Sequence, residues 1–280
     1  MTWMDPARAA SWDAHAHVIG DPSRYPLAPG RGYTPAPAAL DDYLAMLDHH
    51  GIGRGVLVQP SVYGHDHECL LDALYRANGR LRGIAVPAPD STARALERLH
   101  AHGVRGIRCN LINPGGLAPA AVETWRPVLH ALGWHVELQV PIADQPDWIA
   151  LVESFTAGPY GLRVAIDHMG RPAPGHLDPA SAPLDRLVAL VRDGGCFVKL
   201  SAPYRLSAEP PPWRDVAPLA RALVAANPAA CLWASDWPHV DTAGSVRTGD
   251  LLEALDLWCP DEATRLLVTG AAAHRLYGDP

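Results

Sequence analysis

Residues 163–172 read Arg-Val-Ala-Ile-Asp-His-Met-Gly-Arg-Pro. Arg163–Asp167 is short, apolar and β-rich without strict polar–apolar alternation, which is the pattern of a strand buried on both faces. The run delivers Asp167 and His168 at its carboxyl end, and Gly170 and Pro172 stop it at once. A buried strand that ends in polar side chains and then turns is the unit of a parallel βα fold whose chemistry sits at its strand ends.

The same unit recurs along the chain. Ala10–Ala14, Gly55–Gln59, Arg82–Val86, Val104–Asn110, Trp134–Val140, Cys196–Leu200 and Cys231–Ser235 are the other seven strand-like runs. Amphipathic stretches lie between them. Leu40, Tyr43, Leu44 and Leu47 share one helical face ahead of Gly51. Ser91 is placed to cap a helix carrying Leu96 and Leu99 that ends at Gly103. Leu184, Leu187, Val188 and Val191 mark another, ending at Gly194. Pro127 and Pro218 each fall in a helical segment, which they kink or begin. Two further helical segments, 249–259 and 261–276, follow the last strand. Eight such units in 280 residues predict a (β/α)8 TIM barrel spanning 1–280 as a single domain. An open doubly wound sheet is the alternative, because alternation alone does not close a sheet. Gly20–Pro37, rich in Pro, Gly, Tyr and Arg, is too long for an idle turn and reads as a lid or pocket wall.

Composition narrows the partners. With 48% apolar and 19% charged residues the chain is globular, and its net charge of −7 gives no general pull on nucleic acid or anionic lipid. An acidic ligand must therefore be held by a few local cations. Five scattered cysteines with no CxxC pair argue against a disulfide framework or a Cys-rich zinc site. With no apolar run long enough to span a bilayer and no signal pattern at the start, the expected location is the cytoplasm. A homo-oligomer is left open.

The polar residues gather at one set of strand ends. His15 and His17 are two apart, so on a strand they face the same way, able to bind a metal or polarise a carbonyl oxygen. His168 ends the sixth strand and Asp236 the eighth. Imidazoles beside Asp236 would keep it ionised and able to take a proton from water. Arg108, Arg171 and Arg205 each follow a strand end, and guanidinium groups dock carboxylates in pairs of hydrogen bonds. Ser61, Tyr33, Tyr63, Asn110 and Tyr204 are candidates for neutral hydrogen bonds in the same pocket, with His65 and His239 behind them. The histidines at 49, 50, 100, 102, 130, 135, 176 and 274 read as solvated. His15, His17 and Asp236 together are three ligands that a catalytic zinc with bound water accepts.

The stretches WDAHAHV, GVLVQPSVYG, GVRGIRCN, IDHMGRP, KLSAPYRLS and ASDWPH span nearly the whole chain in order. Together they resemble the amidohydrolase superfamily and its amidohydrolase-2 branch, most of all the 2-pyrone-4,6-dicarboxylate lactonases and their relatives. That resemblance implies a distorted barrel that opens a small carboxylated lactone, of the pyrone-dicarboxylate, muconolactone or sugar-acid type, in aromatic or sugar-acid catabolism. It implies that His15, His17 and His168 polarise the lactone carbonyl, that Asp236 activates water, and that Arg108, Arg171 and Arg205 hold carboxylates. Metal-dependent relatives add a Lys or Glu after strand four and a His after strand five. Here those places hold Arg108-Cys-Asn110 and Glu137-Leu-Gln139, which favours a site with no cofactor over one with a single zinc. The competing expectations are a zinc-dependent decarboxylase of the same branch, acting on an aromatic or muconate-type acid, and a barrel that only binds.

Overall fold

A computed structural model describes residues 10–114, 116–240, 242, 246–259 and 261–278. Residues 1–9, where the sequence carries no signal pattern, lie outside them, as do the first and last residues of the 1–280 domain. The strands are β1 (Trp12–Ala16), β2 (Arg54–Val58), β3 (Leu81–Ala85), β4 (Val104–Asn110), β5 (His135–Gln139), β6 (Arg163–Ile166), β7 (Phe197–Leu200) and β8 (Cys231–Trp233). They form one sheet in the order β1 to β8, and each neighbouring pair is parallel. This is the (β/α)8 barrel, and the open doubly wound alternative is discarded.

Each strand is followed by a helix: α1 (Leu40–His49), α2 (Glu68–Arg76), α3 (Ala93–Ala101), α4 (Pro119–Ala131), α5 (Trp148–Thr156), α6 (Ala182–Arg192), α7 (Ala217–Ala226) and α8 (Thr248–Trp258). After α8 the chain makes α9 (Glu262–Leu266), a π turn over Leu267–Ala271, and α10 (Ala272–Tyr277). Leu184, Leu187, Val188 and Val191 are the buried face of α6, as their spacing requires. Pro218 lies in the first turn of α7, where its missing N–H costs nothing, while Pro127 lies inside α4. The cap of α3 is Thr92 and not Ser91: the Thr92 hydroxyl accepts from Ala95 N.

β1 and β8 are joined by loop hydrogen bonds and not by a full ladder. Asp236 N donates to His15 O at 2.9 Å and His17 N to Trp237 O at 2.7 Å. Beneath them Asp13 accepts from Ser235 N (2.8 Å), Ser235 Oγ (2.5 Å) and Tyr43 Oη (3.1 Å). Burial raises the Asp13 pKa to about 6 against the opposing pull of these bonds. The seam therefore stands where His15, His17 and Asp236 leave the barrel.

Residues 20–37 lie along the mouth. Tyr25 Oη donates to Asp72 at 2.9 Å and Ala28 N to Val62 O at 2.7 Å, while Ile19 and Ala38 pair across the base. A Cβ on Gly20 would stand 2.2 Å from the Tyr25 ring, so only glycine lets the loop fold back here.

Candidate active site

His15 lies within β1, and His17 just beyond it. Their rings meet edge to face at 5.0 Å, and His168 tilts against His15 at 4.9 Å. Asp236 completes the group. Its Oδ1 lies 3.7 Å from His15 Nε2 and 3.6 Å from His17 Nε2. Its Oδ2 accepts from Tyr204 Oη at 2.6 Å and from Arg205 Nε at 3.4 Å. Burial alone would raise the Asp236 pKa, but His168 and Arg205 outweigh it and hold the carboxyl well below its ordinary range. Burial holds His168 neutral, down to about 3, and lowers His17 as well.

The backbone here is held away from its usual wells. His168, Met169 and Arg171 have φ of 52°, 53° and 52°, Ala202 has 50°, Asp236 57° and His239 62°. Each non-glycine residue in this region costs on the order of 1–3 kcal/mol. Such residues gather at the ends of β6, β7 and β8, which is where a barrel keeps its chemistry.

His17, His168 and Asp236 line a cavity of about 130 Å3, together with Arg108, Arg171 and Arg205. That is below the roughly 300 Å3 of pockets built for drug-sized ligands, so it suits one small ring. His15 lies a layer beneath this lining. Ser61, Tyr33 and Asn110 also reach the cavity. Asn110 spends its Oδ1 on the amides of Ile112 and Asn113, which shapes the turn after β4.

Other candidates are placed differently. Tyr204 holds the Asp236 carboxylate. Tyr63 accepts from Gly20 N at 3.0 Å and lines a separate small pocket, so it serves the loop and not the cavity. His239 stands against the Tyr204 ring and lines a neighbouring cleft with Thr34 and Pro238. His65 is exposed, with Nδ1 at 3.0 Å from Val86 O. His135 is not solvated: it is fully buried at the start of β5, facing Tyr277 and Glu137.

The arginines differ in what they already hold. Arg108 donates through Nε to Asp167 Oδ2 (2.9 Å) and through Nη2 to Gln139 Oε1 (2.6 Å). Arg205 holds Asp236 and Val240 O. Arg171 lines the cavity with no such partner among the described residues.

Lys199 and Ser201, at the end of β7, were not among the site candidates read from sequence. Lys199, the chain's only lysine, is fully buried in β7 with Nζ at 2.6 Å from Glu137 Oε1, 3.2 Å from Asp167 Oδ1 and 3.0 Å from His15 Nδ1. Burial raises the Asp167 pKa, but Lys199 and Arg108 override it and leave it well below the ordinary range. A single lysine in an arginine-rich chain was the available signal, but nothing local showed that it points inward. Ser201, 2.7 Å from His168 Nδ1, is the other.

The metal question turns on His15. The groups of three potential ligands among the described residues are His15–His168–Asp236 and His15–Glu137–Asp167, not the trio His15, His17 and Asp236 read from sequence. Lys199 Nζ already sits among the three residues of the second group. In the first, Lys199 Nζ lies 3.0 Å from His15 Nδ1.

Residues 12–278 match the family model for amidohydrolases. The chain is 33% identical to a 4-sulfomuconolactone hydrolase of Rhizobium radiobacter, over 96% of this chain and 90% of the relative. It is 35% identical to a 2-pyrone-4,6-dicarboxylate hydrolase of Comamonas testosteroni, over 82% and 77%. A crystal structure from Pseudomonas putida, provisionally named a 2-pyrone-4,6-dicarboxylic acid hydrolase, superposes with a TM-score of 0.82. It is 32% identical and covers 96% of this chain and 98% of that one.

Proposed function

Because the chain belongs to the amidohydrolase family, we propose that it is a lactonase that opens a small carboxylated lactone at Asp236 without a metal. The observation that carries this reading is the charge of the cavity lining. Lys199 and Arg108 are balanced by Glu137 and Asp167, which leaves Arg171 and Arg205 against Asp236. With neutral histidines the site carries one excess positive charge around a space for one ring. An anionic lactone satisfies both, and the relatives named above act on lactones of that kind.

Asp236 is the general base. His17 donates from Nδ1 to Val58 O at 2.8 Å, and a carbonyl only accepts, so the neutral ring presents a lone pair at Nε2. That nitrogen suits the attacking water, beside Asp236 Oδ1, more than a carbonyl oxygen. His168 suits the carbonyl: with Ser201 Oγ donating to Nδ1, its Nε2–H faces the cavity as an oxyanion donor. His15 supports the pair from beneath. Water attacks the lactone carbonyl carbon and gives its proton to Asp236. The ring C–O bond then breaks, and the proton returns to the leaving oxygen. The product acid ionises, so one proton is released per turnover. Arg171 docks a carboxylate of the substrate, with Arg108 and Arg205 beside it. A zinc-dependent decarboxylase needs the metal that this donor set does not suit.

The test is chelator-dialysed protein assayed for proton release on 2-pyrone-4,6-dicarboxylate, 4-sulfomuconolactone, muconolactone and sugar-acid lactones. At least one carboxylated lactone is expected to open at the undialysed rate. Turnover only after zinc is returned would defeat the metal-free reading, and no lactone turnover with or without zinc would defeat the lactonase.

A further inference from the structure

We propose that Lys199 is a positioning residue that fixes His15 with its hydrogen on Nε2, so that the two histidines of β1 carry opposite polarity and cannot clasp a divalent ion. The inference concerns the site proposed above, but it is read on the free protein and stands or falls independently of the substrate.

Lys199 is buried with Glu137 and Asp167 beside its amine. As an ammonium facing these two carboxylates it has three N–H donors and no lone pair. Three acceptors surround it, and the third is His15 Nδ1 at 3.0 Å. That nitrogen must therefore accept. A neutral imidazole has one hydrogen, so here it lies on Nε2. The competing arrangement has His15 Nδ1 donate to Asp167 Oδ1. The two atoms are 3.4 Å apart, whereas Lys199 Nζ stands nearer to each of them, at 3.0 Å from His15 Nδ1 and 3.2 Å from Asp167 Oδ1. Burial and the Lys199 charge both hold His15 neutral.

His17 has the reverse arrangement, because its Nδ1 donates to Val58 O. The paired rings thus offer Asp236 Oδ1 one N–H, from His15 at 3.7 Å, and one lone pair, from His17 at 3.6 Å. Among the described residues His15 Nε2 has no hydrogen-bond partner, so its hydrogen is available to the Asp236 carboxylate. A histidine pair that holds a metal needs a lone pair from each ring. Both candidate groups of three ligands include His15, so one buried ammonium disarms them together. Glu137, which also accepts from Tyr277 Oη at 3.1 Å, anchors that ammonium from the far side.

The experiment is a long-range 1H–15N correlation spectrum of the histidine rings in the full, metal-free chain, with a zinc titration. It is repeated on K199M and on K199M/E137Q, since K199M alone leaves two buried carboxylates unbalanced. The wild type is expected to show His15 protonated at Nε2 and to retain less than about a tenth of an equivalent of zinc after dialysis. In the folded variants, His15 is expected to donate from Nδ1 to Asp167, and zinc to approach one equivalent per chain. His15 protonated at Nδ1 in the wild type would overturn the proposal, whether or not either variant folds. So would equal zinc uptake by wild type and variants.

Discussion

At the scale of the residue, Arg171 is the cation with most to give a ligand. Arg108 and Arg205 are already bonded to Asp167 and Asp236, whereas Arg171 lines the cavity with no such partner among the described residues. A charge-assisted hydrogen bond contributes about 1.5–3 kcal/mol. Arg171→Met is therefore expected to raise KM for the carboxylated lactone roughly 10- to 100-fold and to change kcat only a few-fold. Steady-state kinetics with an unchanged KM would remove Arg171 from the substrate. His15, His17, His168 and Asp236 were legible because each closes an apolar run, and the structure brings the four together. Lys199, Asp167 and Asp13 were not. Their roles depend on which strand lies opposite, and pairing between β1, β5, β6 and β7 leaves no mark on neighbouring letters.

At the scale of the element, all eight strands were legible as apolar runs, and only their ends moved. β1 runs over Trp12–Ala16 and not Ala10–Ala14, so His15 is a strand residue, and Asp13 within the strand is the clamp on Ser235. β6 and β8 end earlier than their apolar runs suggest, because the chain turns into left-handed backbone at His168 and Asp236. Nothing in an apolar pattern announces such turns in residues other than glycine. His135 falls inside the fifth apolar run, yet it was read as solvated; it is buried as the first residue of β5. Tyr63 was misjudged for a related reason, since its hydroxyl turns to the Gly20 amide and away from the cavity.

At the scale of the whole molecule, the chain carries net charge −7 while its cavity is positive, so substrate affinity is a local property that composition could not show. The buried titrating groups also set a pH limit on the fold. Burial lowers His67 to about 4 and His168 to about 3, so each is neutral in the folded state while its unfolded counterpart takes a proton below about 6.5. Between pH 6.5 and 5 each costs roughly 1.5 kcal/mol of stability. Asp13, raised to about 6, works the other way: the folded state takes up its proton first and gains about 1 kcal/mol over the same span. The histidines win. Urea unfolding is expected to show a stability lower by about 2 kcal/mol at pH 5 than at pH 6.5. Equal stability at the two pH values would mean that these histidines are not held neutral by the fold.

In the proposed mechanism Asp236 is the base for water, because no other carboxylate among the described residues lines the cavity. The deciding measurement is kcat of Asp236→Asn on whichever carboxylated lactone the wild type opens fastest, with the folded state verified by thermal unfolding. A loss of about 10²- to 10⁴-fold in a folded variant is the expected result. A folded variant within tenfold of the wild-type rate would contradict the mechanism.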